Sequence, residues 1–316
     1  MDLQKAVYDR SAFALKKNNL TSTYREQMLS VGTKFLRVQD RNGDSVKSLL
    51  DLPGLSCKAC GGDPSQVVGV STAWFLLHVA AFMLDKVEDL ELAGKTQSEI
   101  GVTTNLSTGM IFIAEWILNH LELDRVDPGS AWDIQRAFHE SVLSVCSGQH
   151  RDLSNLAPNL DECWDIAREK SGAAFGLACY AGGRVATSNT AMLGRLETFG
   201  KHLGTIIQIG DDLEELEIQK DVSVFSVKKA PIFQAYINQI SHNVPQKGNL
   251  RTPEELISHE QQQTFAKGSI LYLRLEALRI AGQAKRELDL PDFNCHAADA
   301  LNRILCHRPC IEGLIN

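Results

Sequence analysis

Two acidic clusters are the residues best placed to do chemistry in this sequence. Each cluster closes a long apolar run with helical spacing; the first run covers residues 74–84 and the second covers residues 203–209. Carboxylates at the end of such a run are out of place in a helix that serves packing alone. The first cluster contains Asp85, Glu88 and Asp89, and the second contains Asp211, Asp212 and Glu215.

Helical geometry brings acids of each cluster onto one face, because residues four apart lie one above the other. Asp85 therefore stacks on Asp89, and Asp211 stacks on Glu215 with Gln208 adjacent. Clustered carboxylates repel one another, and an oxygen-only donor set suits Mg²⁺, which combines a few carboxylates with water and substrate phosphate. The alternative is a solvated acidic helix end or an ion pair with nearby lysines. Two such clusters in one chain favour a metal-held anion at the mouth of an apolar pocket.

Size and charge narrow the class of protein. The chain has 316 residues, 44% of them hydrophobic, and a formal net charge of −7. The length allows one large domain or two small ones, and the negative charge disfavours nucleic acid as a partner. No apolar run reaches the ~18 residues that a membrane span needs, and residues 1–13 lack the apolar core of a signal peptide. We therefore expect a cytoplasmic protein that is not integral to the membrane.

Eight cysteines are present, and in a long chain without a secretion signal they are expected to be free thiols. Two close pairs leave a second possibility open, because Cys57 with Cys60 and Cys306 with Cys310 together provide four thiolates for a zinc ion. The alternative is that these are ordinary buried or surface thiols.

Apolar residues recur at three- and four-residue spacing through most of the chain, which predicts helices, whereas strict alternation is rare. Start signals agree, since Asp63-Pro64-Ser65-Gln66 combines an N-cap, a proline at the first helical position and a glutamine at the third. The pattern indicates one all-α domain over residues 1–316. The predicted helices cover residues 3–17, 21–31, 65–92, 108–121, 130–146, 160–183, 190–219, 230–241, 253–264, 266–288 and 294–306.

Short motifs around the acidic clusters occur in a recognisable order. They are Gly61-Gly62-Asp63-Pro64, Leu76-Leu77-His78 ahead of Asp85, Gly148-Gln149 with Asp152-Leu153, Lys170-Ser171-Gly172, Gly204 with Gln208-Ile209-Gly210-Asp211-Asp212, and Lys228-Lys229-Ala230-Pro231. With these motifs the chain resembles the trans-isoprenyl diphosphate synthase (polyprenyl synthetase) family, most clearly over residues 50–285.

The resemblance implies an all-α class I isoprenoid synthase fold, with helices around a deep central cavity. It implies that two acidic helices face each other across the cavity mouth and hold about three Mg²⁺ ions, which grip a prenyl diphosphate. The metal ions neutralise the leaving group, so that the C–O bond ionises and leaves an allylic carbocation in a dry pocket. The implied catalytic acids are Asp85, Asp89, Asp211 and Asp212.

The resemblance also implies a set of diphosphate-binding residues. Lys170 and Lys228 match the family's clamp lysines, and His78 matches a residue of the isopentenyl diphosphate site. Lys34 and Arg37 partly match an N-terminal basic motif, although the sequence after them departs from it. The alternative for the lysines and the arginine is an ordinary surface charge, and the alternative for His78 is a histidine at the edge of the core. The full predicted set is Lys170, Lys228, Gln208, His78, Lys34 and Arg37.

The sequence departs from the family pattern at the first cluster. Lys86 stands where the family has its second acid, and Leu92-Ala93-Gly94 stands where the family has two arginines and a glycine. The planar guanidinium binds phosphate in a way that leucine and alanine cannot replace. The residues for ionising an allylic diphosphate are thus mostly present, whereas the arginines expected for isopentenyl diphosphate are absent.

This imbalance gives three hypotheses for function. The first is a divergent, Mg²⁺-dependent terpene synthase that ionises a prenyl diphosphate and releases diphosphate. The second is a chain-elongating trans-prenyltransferase that condenses isopentenyl diphosphate with an allylic diphosphate. The third is a non-catalytic subunit of a heteromeric prenyl synthase, which has little need to keep both acidic clusters.

The predicted pocket lies below the first cluster on the same helix. Small residues one turn below Asp85 leave room, and Trp74 lies ~16 Å further down at ~1.5 Å rise per residue, which suits a C15 to C20 substrate. Ordinary core packing is the alternative for the aromatic residues. By resemblance a homodimer is expected. The predicted pocket residues are Trp74, Leu77, Ala80, Ala81, Phe82 and Gln149.

Overall fold

The computed structural model describes residues 2–40, 49–90, 92, 94–154, 159–218, 230–242, 259–308 and 310–311, and these residues contain helices and no β-strand. The all-α prediction is confirmed. The described helices are α1 (Leu3–Lys17), α2 (Ser22–Asp40), α3 (Leu52–Ala59), α4 (Val68–Glu88), α5 (Gln97–Leu118), α6 (Pro128–Ser154), α7 (Leu160–Ala167), α8 (Ala173–Ala186), α9 (Thr190–Ile218), α10 (Pro231–His242), α11 (His259–Glu287) and α12 (Cys295–Cys306).

Short turns of other helical types complete the described elements. Three 3₁₀ turns cover Leu49–Asp51, Pro64–Val67 and Leu121–Asp124, and a π turn covers Arg168–Gly172 between α7 and α8. The predicted start at Asp63 is confirmed, since its carboxylate accepts the Ser65 N–H at 2.9 Å and opens the turn that leads into α4. The first acidic cluster therefore lies at the carboxyl end of a helix with a well-defined beginning.

Some helix boundaries differ from the prediction. The helix α5 begins at Gln97 rather than at residue 108, because Thr96 and Glu99 form a reciprocal capping box. The short helix α3 was not predicted at all. Where two helices were predicted over 253–264 and 266–288, α11 runs without a break from His259, and residues 251–258 lie outside the described part of the chain.

The helix α4 is the central element of the core. Trp74, Phe75, Val79 and Ala80 are all buried in it, and the helix packs against α5, α1 and α8. Among the described helices, the segment Pro64–Glu88 is long and apolar enough to cross a membrane by length and composition, and 72% of its most apolar window is buried inside the protein. A buried core helix of a globular domain can have the same length and composition.

Buried apolar residues from the N-terminal helix to the C-terminal segment belong to one hydrophobic cluster, which extends from Val7 to Ile311. This continuity is compatible with the predicted single domain over residues 1–316. The domain assignment itself stays a prediction.

Glycines form a close seam between α8 and α9. A Cβ at Gly200 would overlap the Phe175 carbonyl, and a Cβ at Gly204 would overlap the carbonyl of Ser171 in the π turn. The two backbones can approach only because these side chains are absent. The seam therefore fixes the second acidic helix against the turn that carries Lys170.

We expect Gly200→Ala to destabilise the fold, because the added methyl meets backbone that cannot move independently. Overpacking of this kind costs ~1–3 kcal/mol. The matched control is Gly194→Ala on the same helix, where an added Cβ meets nothing within 4 Å. This control should raise the free energy of unfolding by ~0.4–1 kcal/mol, because alanine reduces the conformational entropy of the unfolded chain. Urea unfolding of both variants measures the difference, and equal stabilities would contradict the close seam.

Candidate active site

An ion cluster joins three elements at the end of α4. The Lys170 ammonium in the π turn donates to Asp152 of α6 at 2.7 Å and lies 3.5 Å from Asp85 of α4. Sequence reasoning used Asp152 only as part of a motif and gave it no role in the site. Its spacing after Gly148-Gln149 was the signal that could have marked it.

The charge of Lys170 is maintained by its neighbours. Burial alone lowers the pKa of this ammonium, but attraction to Asp152 and Asp85 outweighs the burial, and the net pKa is raised. Gly148 makes this position possible, because a Cβ there would lie 2.9 Å from the Lys170 side chain. The lysine is therefore a fixed, fully charged group beside the first acidic cluster.

Asp211 faces this cluster from α9. Surrounding protein desolvates the carboxylate, and repulsion from Glu214 and Asp85 adds to the effect, so the pKa of Asp211 rises to about 7, with Lys170 opposing the rise. The side chain keeps substantial contact with solvent, which screens part of that repulsion. Asp85 and Asp211 are thus near enough for their charges to interact, and their role as metal ligands stays a prediction.

Asp212 points elsewhere. Its side chain is completely buried, and Oδ2 accepts the backbone N–H groups of Ile232 at 2.9 Å and Phe233 at 3.1 Å, at the start of α10. Burial raises the pKa of Asp212 to about 8, and the two backbone hydrogen bonds act against this rise. The carboxylate that was predicted to bind metal beside Asp211 is directed into the protein.

The remaining predicted metal ligands lie at the ends of the same helices. Glu88 and Asp89 are exposed at the end of α4, where Asp89 is the C-cap. Glu215 is partly buried one turn beyond Asp211. Their roles stay predictions.

A divalent cation fits this donor set on chemical grounds. Among the described residues no three acidic, histidine or cysteine side chains form a ready-made metal cage. Mg²⁺ is usually bound through one or two carboxylates, water and substrate phosphate rather than by such a cage. The repulsion of Asp211 by Glu214 and Asp85 marks a place where added positive charge stabilises the protein. The residues present therefore fit Mg²⁺ that arrives together with a phosphate-bearing ligand.

Lys86, which replaces the family's second acid, lies against an aromatic ring. Its ammonium sits 4.7 Å from the centre of the Phe82 ring, and Phe82 meets Phe35 of α2 edge-on with ring centres 5.1 Å apart. Phe82 is 45% exposed, so the structure places this predicted pocket residue near the surface, between α4 and α2. Lys86 thus adds positive charge on the side of Asp85 that is nearer α2.

An aromatic cluster lies below the acids. The rings of Trp74 and His78 stack with centres 5.3 Å apart, and both meet Phe175 of α8 edge-on. The indole N–H of Trp74 donates to the Ala174 carbonyl at 2.9 Å, which holds the ring in place. Burial lowers the pKa of His78 to about 4, so the ring is neutral at pH 7. His78 was predicted to bind diphosphate. A neutral ring can do so through a hydrogen bond but not through an ion pair.

The other predicted pocket and phosphate residues have varied surroundings. Ala80 is buried, Leu77 is partly buried and Ala81 is exposed. The side-chain amide of Gln149 is buried, and both of its polar atoms lack a hydrogen-bond partner within the described structure. Such an amide suits a pocket wall that meets a ligand. Gln208 accepts the Ser171 hydroxyl at 3.1 Å, which ties α9 to the π turn.

The other predicted basic residues are Lys34, Arg37 and Lys228. Lys34 is exposed on α2. The side chain of Arg37 and the whole of Lys228 lie outside the described residues. Their assignment to diphosphate stays a prediction.

The zinc alternative for the cysteine pairs finds no support among the described residues, which include all four thiols. The Cys57 thiol is buried and donates to the Asp63 carbonyl at 3.6 Å, whereas the Cys310 thiol is buried against the Ile206 carbonyl at 3.6 Å. Burial raises the pKa of Cys57 to about 12 and that of Cys310 to about 11. These are protonated core thiols, as the alternative interpretation had it.

Comparison with solved structures identifies the fold as that of the class I isoprenoid synthases. The chain superposes on the geranylgeranyl pyrophosphate synthetase of the archaeon Geoglobus acetivorans with a TM-score of 0.73 at 16% identity, covering 98% of both chains. On the enzyme of the same name from Pyrococcus horikoshii the TM-score is 0.74 at 17% identity, covering 98% of this chain and 95% of that one.

Sequence comparison gives the family. The polyprenyl synthetase family model matches residues 52–223, more than half of the chain. The chain therefore belongs to the polyprenyl synthetase family. It is 31% identical over 164 residues to the geranylgeranyl diphosphate synthase of Mycobacterium tuberculosis, and 24% identical over 177 residues to the short chain isoprenyl diphosphate synthase of Methanothermobacter thermautotrophicus. The matches cover 49% and 54% of this chain, and only about half of each relative, 46% and 53%.

We expect His78 to make the fold sensitive to acid. The unfolded histidine takes up a proton near its usual pKa of 6.5, whereas the folded one resists until about pH 4. The neutral His78 ring therefore contributes fully to stability above pH 6.5, and this contribution is lost as the pH falls towards 4. One histidine lowers the free energy of unfolding by at most ~1.4 kcal/mol per pH unit. The variant His78→Phe keeps a stacking ring and removes this titration. Urea unfolding at pH 7 and pH 5 should show the smaller drop in stability for the variant, and identical drops would contradict a neutral His78 in the folded protein.

Proposed function

We propose that this protein is a Mg²⁺-dependent trans-prenyltransferase that condenses isopentenyl diphosphate with an allylic prenyl diphosphate. The observation that carries the proposal is the approach of Asp85 and Asp211 from two helices, with the charged Lys170 beside them, in a member of the polyprenyl synthetase family. The three groups supply opposite charges at one place, as the binding of a metal-complexed diphosphate requires.

The names of the relatives favour this activity over the terpene synthase that the sequence first suggested. Both quoted relatives are named as diphosphate synthases, one for geranylgeranyl and one for short isoprenyl chains. A chain-elongating enzyme is thus the better-supported hypothesis, although the relatives match along only about half of their length.

The roles of the residues follow from their positions. Bound Mg²⁺ would supply Lewis-acid neutralisation of the diphosphate leaving group, and Asp85, Asp89 and Asp211 are the residues proposed to hold it. Lys170 would donate a charge-assisted hydrogen bond to the diphosphate once that ligand competes for its contact with Asp85. When the allylic C–O bond breaks, its electron pair leaves with the diphosphate. The isopentenyl double bond then forms the new C–C bond, and the released diphosphate accepts a proton from the adjacent carbon, which restores a double bond.

The aromatic cluster is proposed to enclose the prenyl chain. Trp74, His78 and Phe175 present apolar rings below the acids and keep water from the carbocation. Trp74 is held by its hydrogen bond to Ala174, so it suits a fixed limit on chain length. An allylic substrate in the C15 to C20 range remains the proposal.

The terpene synthase remains a second candidate because of two residues. Lys86 replaces an acid, and Leu92 stands at a position where the family has an arginine for diphosphate. An enzyme with weakened affinity for isopentenyl diphosphate would let the carbocation react with its own double bonds or with water.

One assay distinguishes the candidates. The purified chain is incubated with Mg²⁺ and geranyl, farnesyl or geranylgeranyl diphosphate, with and without isopentenyl diphosphate. We expect longer diphosphates only when isopentenyl diphosphate is present, and Asp85→Asn should lower the rate by at least ~100-fold, as loss of one charge-stabilising group does. A hydrocarbon or alcohol formed without isopentenyl diphosphate would instead identify a terpene synthase. No turnover in either condition, restored by a second synthase chain, would identify a non-catalytic subunit.

A homodimer is proposed on the outer face of α5 and α6. Phe112 on α5 and Trp132 and Leu143 on α6 are 69%, 68% and 70% exposed, unusually high values for large apolar side chains. The two helices pack against each other, and exposed large apolar side chains that lie together are typical of an interface. A second copy of this chain is the proposed partner, and a cytoplasmic location stays a prediction.

Leu143→Lys should weaken this dimer, because burying an ammonium without a partner is costly. The matched control is Leu271→Lys on α11, which changes a leucine of similar exposure, 58%, away from that face. Light scattering after size exclusion measures the mass of each variant. A monomeric Leu143→Lys protein and a dimeric control are expected, and a wild-type monomer at micromolar concentration would overturn the proposal.

A further inference from the structure

The start of α10 receives its hydrogen-bond acceptor from another helix. The first N–H groups of a helix have no partner inside the helix and are usually satisfied by a side chain just before it. The residue before α10 is Ala230, whose carbonyl accepts the N–H of Gln234 at 2.9 Å but whose methyl side chain accepts nothing. Pro231 follows at the first position, which suits it because it has no N–H.

Asp212 supplies the missing acceptor from α9. Its Oδ2 receives the N–H groups of Ile232 and Phe233, the second and third residues of α10, at 2.9 and 3.1 Å. These are the positions that a local N-cap side chain would satisfy. The negative carboxylate also lies at the positive end of the α10 dipole. Both donors and the acceptor are buried, so leaving them unpaired would be costly.

Helical geometry separates Asp212 from its neighbour. Consecutive residues of an α-helix project about 100° apart, because the helix has 3.6 residues per turn. Asp211 is close enough to Asp85 and Lys170 for their charges to act on it, and Asp212 points towards α10. Anchoring Asp212 therefore fixes the rotation of this turn of α9 and, with it, the direction of Asp211.

We infer that Asp212 is a positioning residue, which caps α10 and thereby aims Asp211, and that it is not a ligand of the metal. The inference goes beyond the proposed function, because it concerns how the second acidic cluster is held and does not depend on which prenyl diphosphate is used.

The experiment compares four proteins with the wild type. Asp212→Asn keeps an oxygen that can accept both N–H groups, and Asp212→Ala removes it. The double variant Asp212→Ala with Ala230→Ser places a hydroxyl at the local N-cap position of α10. Asp211→Asn is the matched change at the neighbouring acid that faces the mouth.

Two readouts separate capping from metal binding. Amide hydrogen exchange of Ile232 and Phe233 reports the cap and requires no enzymatic activity. Calorimetry with Mg²⁺ and inorganic pyrophosphate reports the metal site without a prenyl substrate. Both readouts therefore remain informative if the proposed reaction is wrong.

We expect Asp212→Ala to speed exchange at these two amides by about tenfold, the effect of losing a helix cap. Asp212→Asn should speed it less, and Ala230→Ser should restore part of the protection that Asp212→Ala loses. The affinity for Mg²⁺ with pyrophosphate should be unchanged in Asp212→Asn and weakened in Asp211→Asn.

Loss of Mg²⁺ affinity in Asp212→Asn with undisturbed amide exchange would overturn the inference, because it would make Asp212 a metal ligand. If Asp212→Ala does not fold, the double variant and Asp212→Asn still decide between the roles. If the double variant folds and its Ile232 and Phe233 amides are protected from exchange, the capping role is supported. If these amides are unprotected in the folded double variant, the capping role is contradicted.

Discussion

The contact of Lys170 with Asp152 and Asp85 is the interaction on which the rest of the site depends. Taking an ammonium partly out of water is costly unless a carboxylate pairs with it, and the carboxylates that pair with Lys170 come from α4 and α6. The approach of these elements requires the absence of side chains at Gly148 and Gly204. The glycines thus allow the helices to approach closely enough for the Lys170 ammonium to contact both Asp152 and Asp85.

The sequence predicted those parts of the site that follow from spacing within one helix. Asp85 at the end of an apolar helix and Asp211 at the end of another were visible in this way. The π turn around Lys170 was not, because nothing in Arg168–Gly172 distinguishes it from an α-helix until Gly148 and Gly204 pack against it. The start of α5 was missed for another reason: residues 97–107 are mostly polar, and the capping box rather than an apolar stripe begins the helix.

The altered first cluster can be understood through the two lysines that flank it. Lys170 neutralises Asp85 from the side of α8, and Lys86 places a second ammonium over the Phe82 ring towards α2. The first cluster therefore carries less net negative charge than a motif with two adjacent aspartates, while the turn after α4 has Leu92 in place of a cation. Positive charge is present beside the first acids but differently distributed, which reconciles membership of a diphosphate synthase family with the absence of the expected arginine.

Asp211 and Asp212 show why a motif match assigns residues more readily than roles. The two carboxylates are chemically identical and adjacent, so the pattern alone gives both of them to the metal. A helix cannot aim both at one point, since neighbours project about 100° apart. The acid near Asp85 experiences repulsion that a cation relieves. In the acid that faces α10, Oδ2 accepts two backbone N–H groups, and Oδ1 is buried without a hydrogen-bond partner in the described structure. The surroundings of each carboxylate, and not its place in the motif, determine which of them is available to a metal ion.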